Sequence, residues 1–333
     1  MRYRFSLVLG FVVVMGFSNV SRADLAFKGI QLVSWSKGEY SRKPCDMSID
    51  NVRKTNANAL GILVTWYMDT PNSAEIEPDP LKTPSDEDIV HAITEAQNRG
   101  MKVMLKPHVD VRDGSWRGSI SPTEKRSWWV NYETFILKYA RLAEANEVEL
   151  FVIGTELKRV ATDHSNESSW IGLIEKVRSQ FTGAITYAAN WDEYQSIPFF
   201  QNLDYIGIDA YFPLCQSRTP TLDELERGWT KWVEELSRFQ AQVKKPVIFT
   251  EIGYRSIDYA GHEPWSWTKA GIYNGEAQAR CYEAAIQVFK QQQWFDGLFF
   301  WSWSVNPMAG GDQGFTPQRK PAEQVLTSLY GDE

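Results

Sequence analysis

The chain has 333 residues, of which 35 are basic and 42 acidic, for a net charge of −7. That balance excludes a role built on nucleic-acid phosphates, which need a basic surface. Its three cysteines, Cys45, Cys215 and Cys281, are odd in number and far apart, which excludes a disulfide scaffold and a zinc pattern.

The first 23 residues carry a basic start (Arg2, Arg4), an apolar stretch from Phe5 to Phe17, and small residues at Ser21 and Ala23. These are the features of a secretory signal peptide cleaved after Ala23. The apolar stretch is shorter than the roughly 20 residues of a membrane span. The expected product is a secreted or periplasmic protein of residues 24–333, free of the membrane after cleavage. Without Arg2, Arg4 and Arg22 it holds 32 basic against 42 acidic residues, a net charge near −10. One disulfide is conceivable in such a compartment. Cys45 and Cys215 are the expected pair, because both lie in predicted loops and Cys281 in a helical pattern.

Short apolar runs then alternate with helical patterns, the signature of βα units and a parallel sheet. The eight runs cover 28–35, 58–66, 102–110, 149–156, 184–191, 203–211, 246–253 and 295–303. Helical patterns cover 85–100, 128–146, 168–181, 222–243 and 276–293. Segment 192–202, after run five, is too short for a full helix. The loop at 67–84 is long and proline-rich, and long loops at one end of a barrel carry function. Eight strands with interposed helices predict a single (β/α)8 TIM barrel. An open doubly wound sheet is the alternative, but no glycine-rich GxGxxG turn is present.

The strand ends hold the chemistry. Alternation places Glu251 on one face with Val247 and Phe249, and Glu156 on one face with Val152 and Gly154. If those faces look inward, both carboxylates emerge at the C-terminal mouth, where barrel enzymes place their active sites. Lys106, His108 and Asp110 are in phase on run three, as are Asp209 and Tyr211 on run six. Other runs end at Trp35, Trp66, Asn190-Trp191, Trp301 and Trp303. Core packing favours Val, Ile and Leu, so eight polar or tryptophan endings indicate a site. Indole faces stack on the apolar faces of sugar rings. A glycosidic bond needs a proton for its leaving oxygen and a nucleophile or an activated water.

The segments "FVIGTELK" (151–158) and "VIFTEIGY" (247–254) resemble clan A of the glycoside hydrolases. With "LKPHVD", "ANWDEY" and "IGIDAYFPL", the ordered set most resembles glycoside hydrolase family 113, over the whole of 24–333. The resemblance implies a retaining β-glycosidase on a (β/α)8 barrel, mainly β-1,4-mannanase. Glu156 would be the acid/base and Glu251 the nucleophile. Tyr211 would hold the nucleophile as a carboxylate, and Trp303 would form the platform under the reacting sugar. The chain departs from the clan at Thr155, where an Asn that bonds the sugar 2-hydroxyl is usual. That contact is lost, made by Thr155, or supplied by Asn190.

The expected substrate is a β-linked polysaccharide or oligosaccharide, cleaved by a monomer without cofactor or metal. Substrate contacts are expected from Trp35, Trp66, His108, Asp110, Asn190, Trp191, Asp209, Tyr211, Trp301 and Trp303, although two or three of the tryptophans suffice for stacking. Lys106 reads as an internal ion-pair partner. Trp128, Trp129, Trp170, Trp229, Trp232 and Trp294 lie in or beside helical patterns and read as core. Trp116, Trp265 and Trp267 lie in rim loops and are candidates for outer subsites. Three alternatives stay open: another β-glycoside as substrate, a barrel that binds saccharide without cleaving it, and a metal-dependent hydrolase. The last has only "HVD" (108–110) in its favour, since four histidines and no HExxH make a metal site a poor fit.

Overall fold

A computed structural model describes residues 25–306 and 308–331. The expected signal peptide, 1–23, lies outside them. Eight parallel strands form a closed barrel: β1 (Phe27–Val33), β2 (Ala59–Met68), β3 (Lys102–Val111), β4 (Leu150–Thr155), β5 (Ala184–Asn190), β6 (Ile206–Asp209), β7 (Val247–Ile252) and β8 (Phe295–Ser304). Each pairs with the next, and β1 pairs with both β2 and β8, which closes the ring. A two-residue strand, Glu77–Pro78, lies antiparallel on Trp66 and Tyr67 and orders part of the long 67–84 loop.

The helices are α1 (Lys43–Lys54), α2 (Asp86–Asn98), α3 (Lys125–Ala145), α4 (Lys158–Ala161), α5 (Glu167–Arg178), α6 (Leu222–Val243), α7 (Gly275–Phe289) and α8 (Pro321–Gly331). Capping boxes start two of them: Ser85 with Asp88 at α2, and Thr221 with Glu224 at α6. Between β5 and β6 the chain makes only two three-residue 3-10 turns, as its length predicts. Cys45 is not in a loop. It is buried on α1, and all three thiols are free, so the expected Cys45–Cys215 bridge is not formed.

Two layers of packing follow from strand alternation. Phe27, Ala59, Met104, Leu150, Val152, Ala188, Ile248 and Phe299 fill the inside of the barrel. The alternate residues, among them Ile30, Ile62, Leu105, Ile153, Ile208, Val247 and Phe249, pack outward against the helices. Gly29 makes room for a large neighbour, since a Cβ there would lie 2.3 Å from the Phe299 ring. The core tryptophans behave as expected: Trp128, Trp170 and Trp229 are fully buried, and Trp129, Trp232 and Trp294 pack against the outer layer.

The simple alternation fails where it matters most. Val247 and Phe249 face the helices, so Glu251 does not share an inward face with them. An extra residue intervenes: Ile208 and Asp209 of β6 pair with Phe249 and Glu251 of β7, which leaves Thr250 over. The same slip appears against β8. Such a bulge re-aims a side chain, and here Thr250 and Glu251 both reach groups inside the barrel. β4 repeats the device, since three steps from Val152 to Thr155 face two from Thr186 to Ala188. Gly154 therefore does not continue the inward face of Val152; a Cβ on it would meet Tyr132 Oη at 2.5 Å and the Tyr187 ring at 3.0 Å, both in the outer layer.

Candidate active site

Glu156 follows the β4 bulge with φ of 50°, the left-handed region that a non-glycine residue seldom occupies. Its amide donates to Ala188 O (2.8 Å), and the next amide, of Leu157, donates to the buried Tyr187 hydroxyl (2.8 Å). The turn thus aims the carboxylate into the mouth. There Oε2 accepts from Arg117 Nη1 at 3.2 Å and from the Trp116 indole at 3.4 Å. Burial raises the Glu156 carboxyl above its ordinary value, Arg117 pulls it back, and the charge of Glu251 raises it further.

Glu251 is held differently. Oε1 accepts from Lys106 Nζ at 2.5 Å, and Oε2 accepts from the Tyr211 hydroxyl at 2.7 Å. Lys106 has no exposed surface. It also donates to both oxygens of Asp209, at 2.9 and 3.1 Å, and Thr250 Oγ1 donates to Asp209 Oδ1 at 2.8 Å. Lys106 is therefore the internal ion-pair partner expected. Asp209 is corrected from a sugar contact to a fully buried support beneath Glu251. Burial first, then the Glu251 charge, push its carboxyl up.

His108 is likewise buried rather than open at the rim, with Nε2 3.9 Å from Glu251 Oε1. Neither ring nitrogen has a hydrogen-bond partner among the described residues. Burial, with Arg117 and Lys106 nearby, holds its pKa well below the usual value, so the ring is neutral. Asp110 stays at the rim, where its Oδ1 accepts from Arg117 Nε at 2.9 Å and Nη2 at 2.6 Å. Thr155 is buried and its hydroxyl donates to Pro107 O at 3.4 Å. The Asn190 amide group donates to Asp192 and its oxygen accepts from Trp191 N, so its polar atoms are engaged in the local turn.

The tryptophans divide. Trp35, 48% exposed, meets Trp301 edge to face at 6.3 Å, and Trp301 lies beside Gly253 at the end of β7. Trp303 is 1% exposed and unsuited to a sugar platform. An extra residue in β8, between the pairs Ile30–Phe300 and Leu32–Trp303, turns it into the outer layer. Trp66 also faces outward, because Ala59, Gly61 and Thr65 take the inner face; its indole donates to Tyr139 Oη (3.0 Å) and its ring packs on Phe135. Trp191 stacks on Trp265 at 5.1 Å and contacts Trp232 of α6.

The sequence reading did not name Arg117, which joins Asp110 to Glu156. It sits in a 3-10 turn after β3, and no local pattern separates it from Arg112. Trp116 beside it, read as an outer-subsite candidate, touches Glu156 directly. Among the described residues no group of three or more His, Cys, Asp or Glu side chains is placed to hold a metal ion.

A closed barrel whose mouth holds two unequally held carboxylates and exposed tryptophans suits glycosidic chemistry, and residues 32–318 match the profile of Glycoside Hydrolase Family 113. The chain belongs to that family. As a family 113 glycoside hydrolase it is similar in structure to the β-mannanase AaManA of Alicyclobacillus acidocaldarius in complex with ManMIm: 26% identity over 91% of this chain and 96% of that one, TM-score 0.83. It is also similar to a GH113 β-1,4-mannanase solved as a complex, at 25% identity over 93% and 100% of the two chains, TM-score 0.82. The β-glucuronidase of Faecalibacterium prausnitzii, 15% identical with TM-score 0.62 over 92% of this chain and 49% of that one, shares the fold alone. No curated protein matches the chain.

Proposed function

We propose that this glycoside hydrolase is a retaining endo-β-1,4-mannanase, with Glu251 as nucleophile and Glu156 as acid/base. The observation that carries the reading is the unequal holding of the two carboxylates. Glu251 is fixed through both oxygens by a buried ammonium and a phenol, as a nucleophile aimed at one atom requires. Glu156 is raised by burial and by its neighbour's charge, as an acid that protonates a leaving oxygen requires. Glu251 attacks the anomeric carbon while Glu156 protonates the leaving oxygen. Glu156 then takes a proton from water, which hydrolyses the ester with retained configuration. Trp35 and Trp301 offer apolar faces at the mouth, and Trp301, not Trp303, is the stacking candidate on β8. The mannan assignment rests on the two β-mannanases above. The reading includes export, with residues 1–23 removed.

The test incubates the protein with mannohexaose, cellohexaose and xylohexaose and follows product anomers by proton NMR. Mannohexaose is expected to be cut with β-anomers appearing first, and Glu251→Ala to lose at least about 10³-fold in rate, as for removal of a covalent nucleophile. First-formed α-anomers would refute retention, and exclusive cleavage of another hexaose would refute the mannan assignment.

A further inference from the structure

Two cations stand in the barrel mouth, and each touches two carboxylates. Lys106 donates to Asp209 and to Glu251. Arg117 donates through Nε and Nη2 to Asp110 and through Nη1 to Glu156. In each set one carboxylate belongs to the displacement and the other does not. Asp209 has no exposed surface and cannot touch a sugar; both its oxygens accept, from Lys106 and Thr250.

The displacement moves charge from one set to the other. The bond from the anomeric carbon to the leaving oxygen breaks, a Glu251 oxygen bonds to that carbon, and the Glu156 proton goes to the leaving oxygen. Glu251 passes from carboxylate to neutral ester, and Glu156 from neutral acid to carboxylate. One negative charge has left Lys106 and one has appeared beside Arg117. Lys106 is wholly buried, so water cannot take the place of its lost partner, and an unpaired buried charge is strongly disfavoured.

We infer that Asp209 and Asp110 are standing counter-ions: Asp209 keeps Lys106 paired while Glu251 is esterified, and Asp110 keeps Arg117 paired while Glu156 is protonated. Both are positioning residues, and the inference rests on the two-glutamate reading above. The Glu251 charge is one of the forces that disfavour the Asp209 carboxylate. Esterification removes it, which favours the Asp209 carboxylate at the moment Lys106 depends on it.

The two aspartates have opposite effects on the ester. In Asp209→Asn the ester leaves Lys106 unpaired, so it forms more slowly and breaks down faster. In Asp110→Asn, Arg117 has Glu156 as its remaining anion and holds it as a carboxylate of weakened basicity. Activation of water then slows and the ester persists. Asn keeps an Oδ1 acceptor at each position.

The experiment treats the full chain and both variants with 2,4-dinitrophenyl 2-deoxy-2-fluoro-β-mannobioside and, in parallel, its gluco-configured analogue. Intact mass follows the fluoroglycosyl adduct, and peptide mapping locates it. After excess reagent is removed, Asp209→Asn is expected to shed the adduct faster than the parent by about tenfold or more, and Asp110→Asn more slowly by a similar factor. Unchanged rates, or shifts in the same direction, would overturn the inference. If Asp209→Asn does not fold, the Asp110→Asn rate decides, and an unchanged or faster loss overturns it. A parent labelled elsewhere than Glu251, or by neither reagent, sinks the two-glutamate reading and this inference with it. A parent labelled at Glu251 with uniform rates sinks the inference alone.

Discussion

Arg117 opposes the upward push on Glu156, and its removal has a definite sign. Burial and Glu251 raise the Glu156 carboxyl, while Arg117, Lys106 and the Trp116 indole lower it. Asp209, Glu193, Tyr187 and Tyr211 also face it electrostatically. Arg117→Met takes away the largest lowering influence, so Glu156 stays protonated to higher pH. The alkaline limb of kcat/KM is expected to move up, and a limb that stays or moves down counts against Glu156 as the acid. Glu193, 2% exposed, offers a second residue-scale check. Burial pushes its carboxyl from 4.5 up to about 8, against donation from the Asn190 amide. The contribution of Glu193 to stability is therefore fully present below about pH 4.5 and is lost as pH rises through 8. Gln does not ionise, so Glu193→Gln is expected to match the parent near pH 4.5 and exceed it by up to about 5 kcal/mol at pH 8.5. Thermal or urea unfolding at both values measures the difference.

Glu156 and Glu251 each owe their placement to a strand with one residue too many. The β7 bulge puts Thr250 and Glu251 on the same side of the strand, and the β4 bulge precedes the left-handed turn at Glu156. Gly154 is a tightly packed point of β4. A methyl group there would strike Tyr132, which donates to Ile153 O at 2.7 Å, and Tyr187, which receives the Leu157 amide. Gly154→Ala is expected to cost about 1–3 kcal/mol of stability. It should lower kcat more than it changes KM, because the displaced Tyr187 supports the Glu156 turn. Unfolding midpoints and steady-state kinetics decide; an unchanged kcat would show that Tyr187 does not position Glu156.

The whole molecule is an acidic barrel whose charges at the mouth are paired with one another. Asp79 and Asp69 meet Arg112, Asp110 meets Arg117, and Asp209 and Glu251 share Lys106. A neutral polysaccharide offers long-range charge nothing to steer. KM for soluble mannan is expected to change by less than about twofold between 0.05 and 0.5 M NaCl, across which the Debye length falls well below 15 Å. A steep salt dependence in initial-rate measurements would point to an ionic substrate instead.

The sequence by itself determined the eight strands, five of the helices, the closed barrel and the polar strand ends. Apolar periodicity and helix caps are local properties, legible along a single chain. It also brought Glu156, Glu251, Asp110 and Tyr211 to one mouth and made Lys106 an internal partner. Only the tertiary structure decided which strand-end side chains face inward. The expected inward face of Val247, Phe249 and Glu251 was wrong for its first two members, and Glu251 arrives there through a bulge. A bulge is defined by the register of the neighbouring strand, which lies about 40 residues away in sequence for Asp209 and Glu251. The same dependence sent Trp303 to the outer layer. Arg117 became part of the site because a turn after β3 folds back over Asp110 and Glu156, and that approach exists only once the barrel has closed.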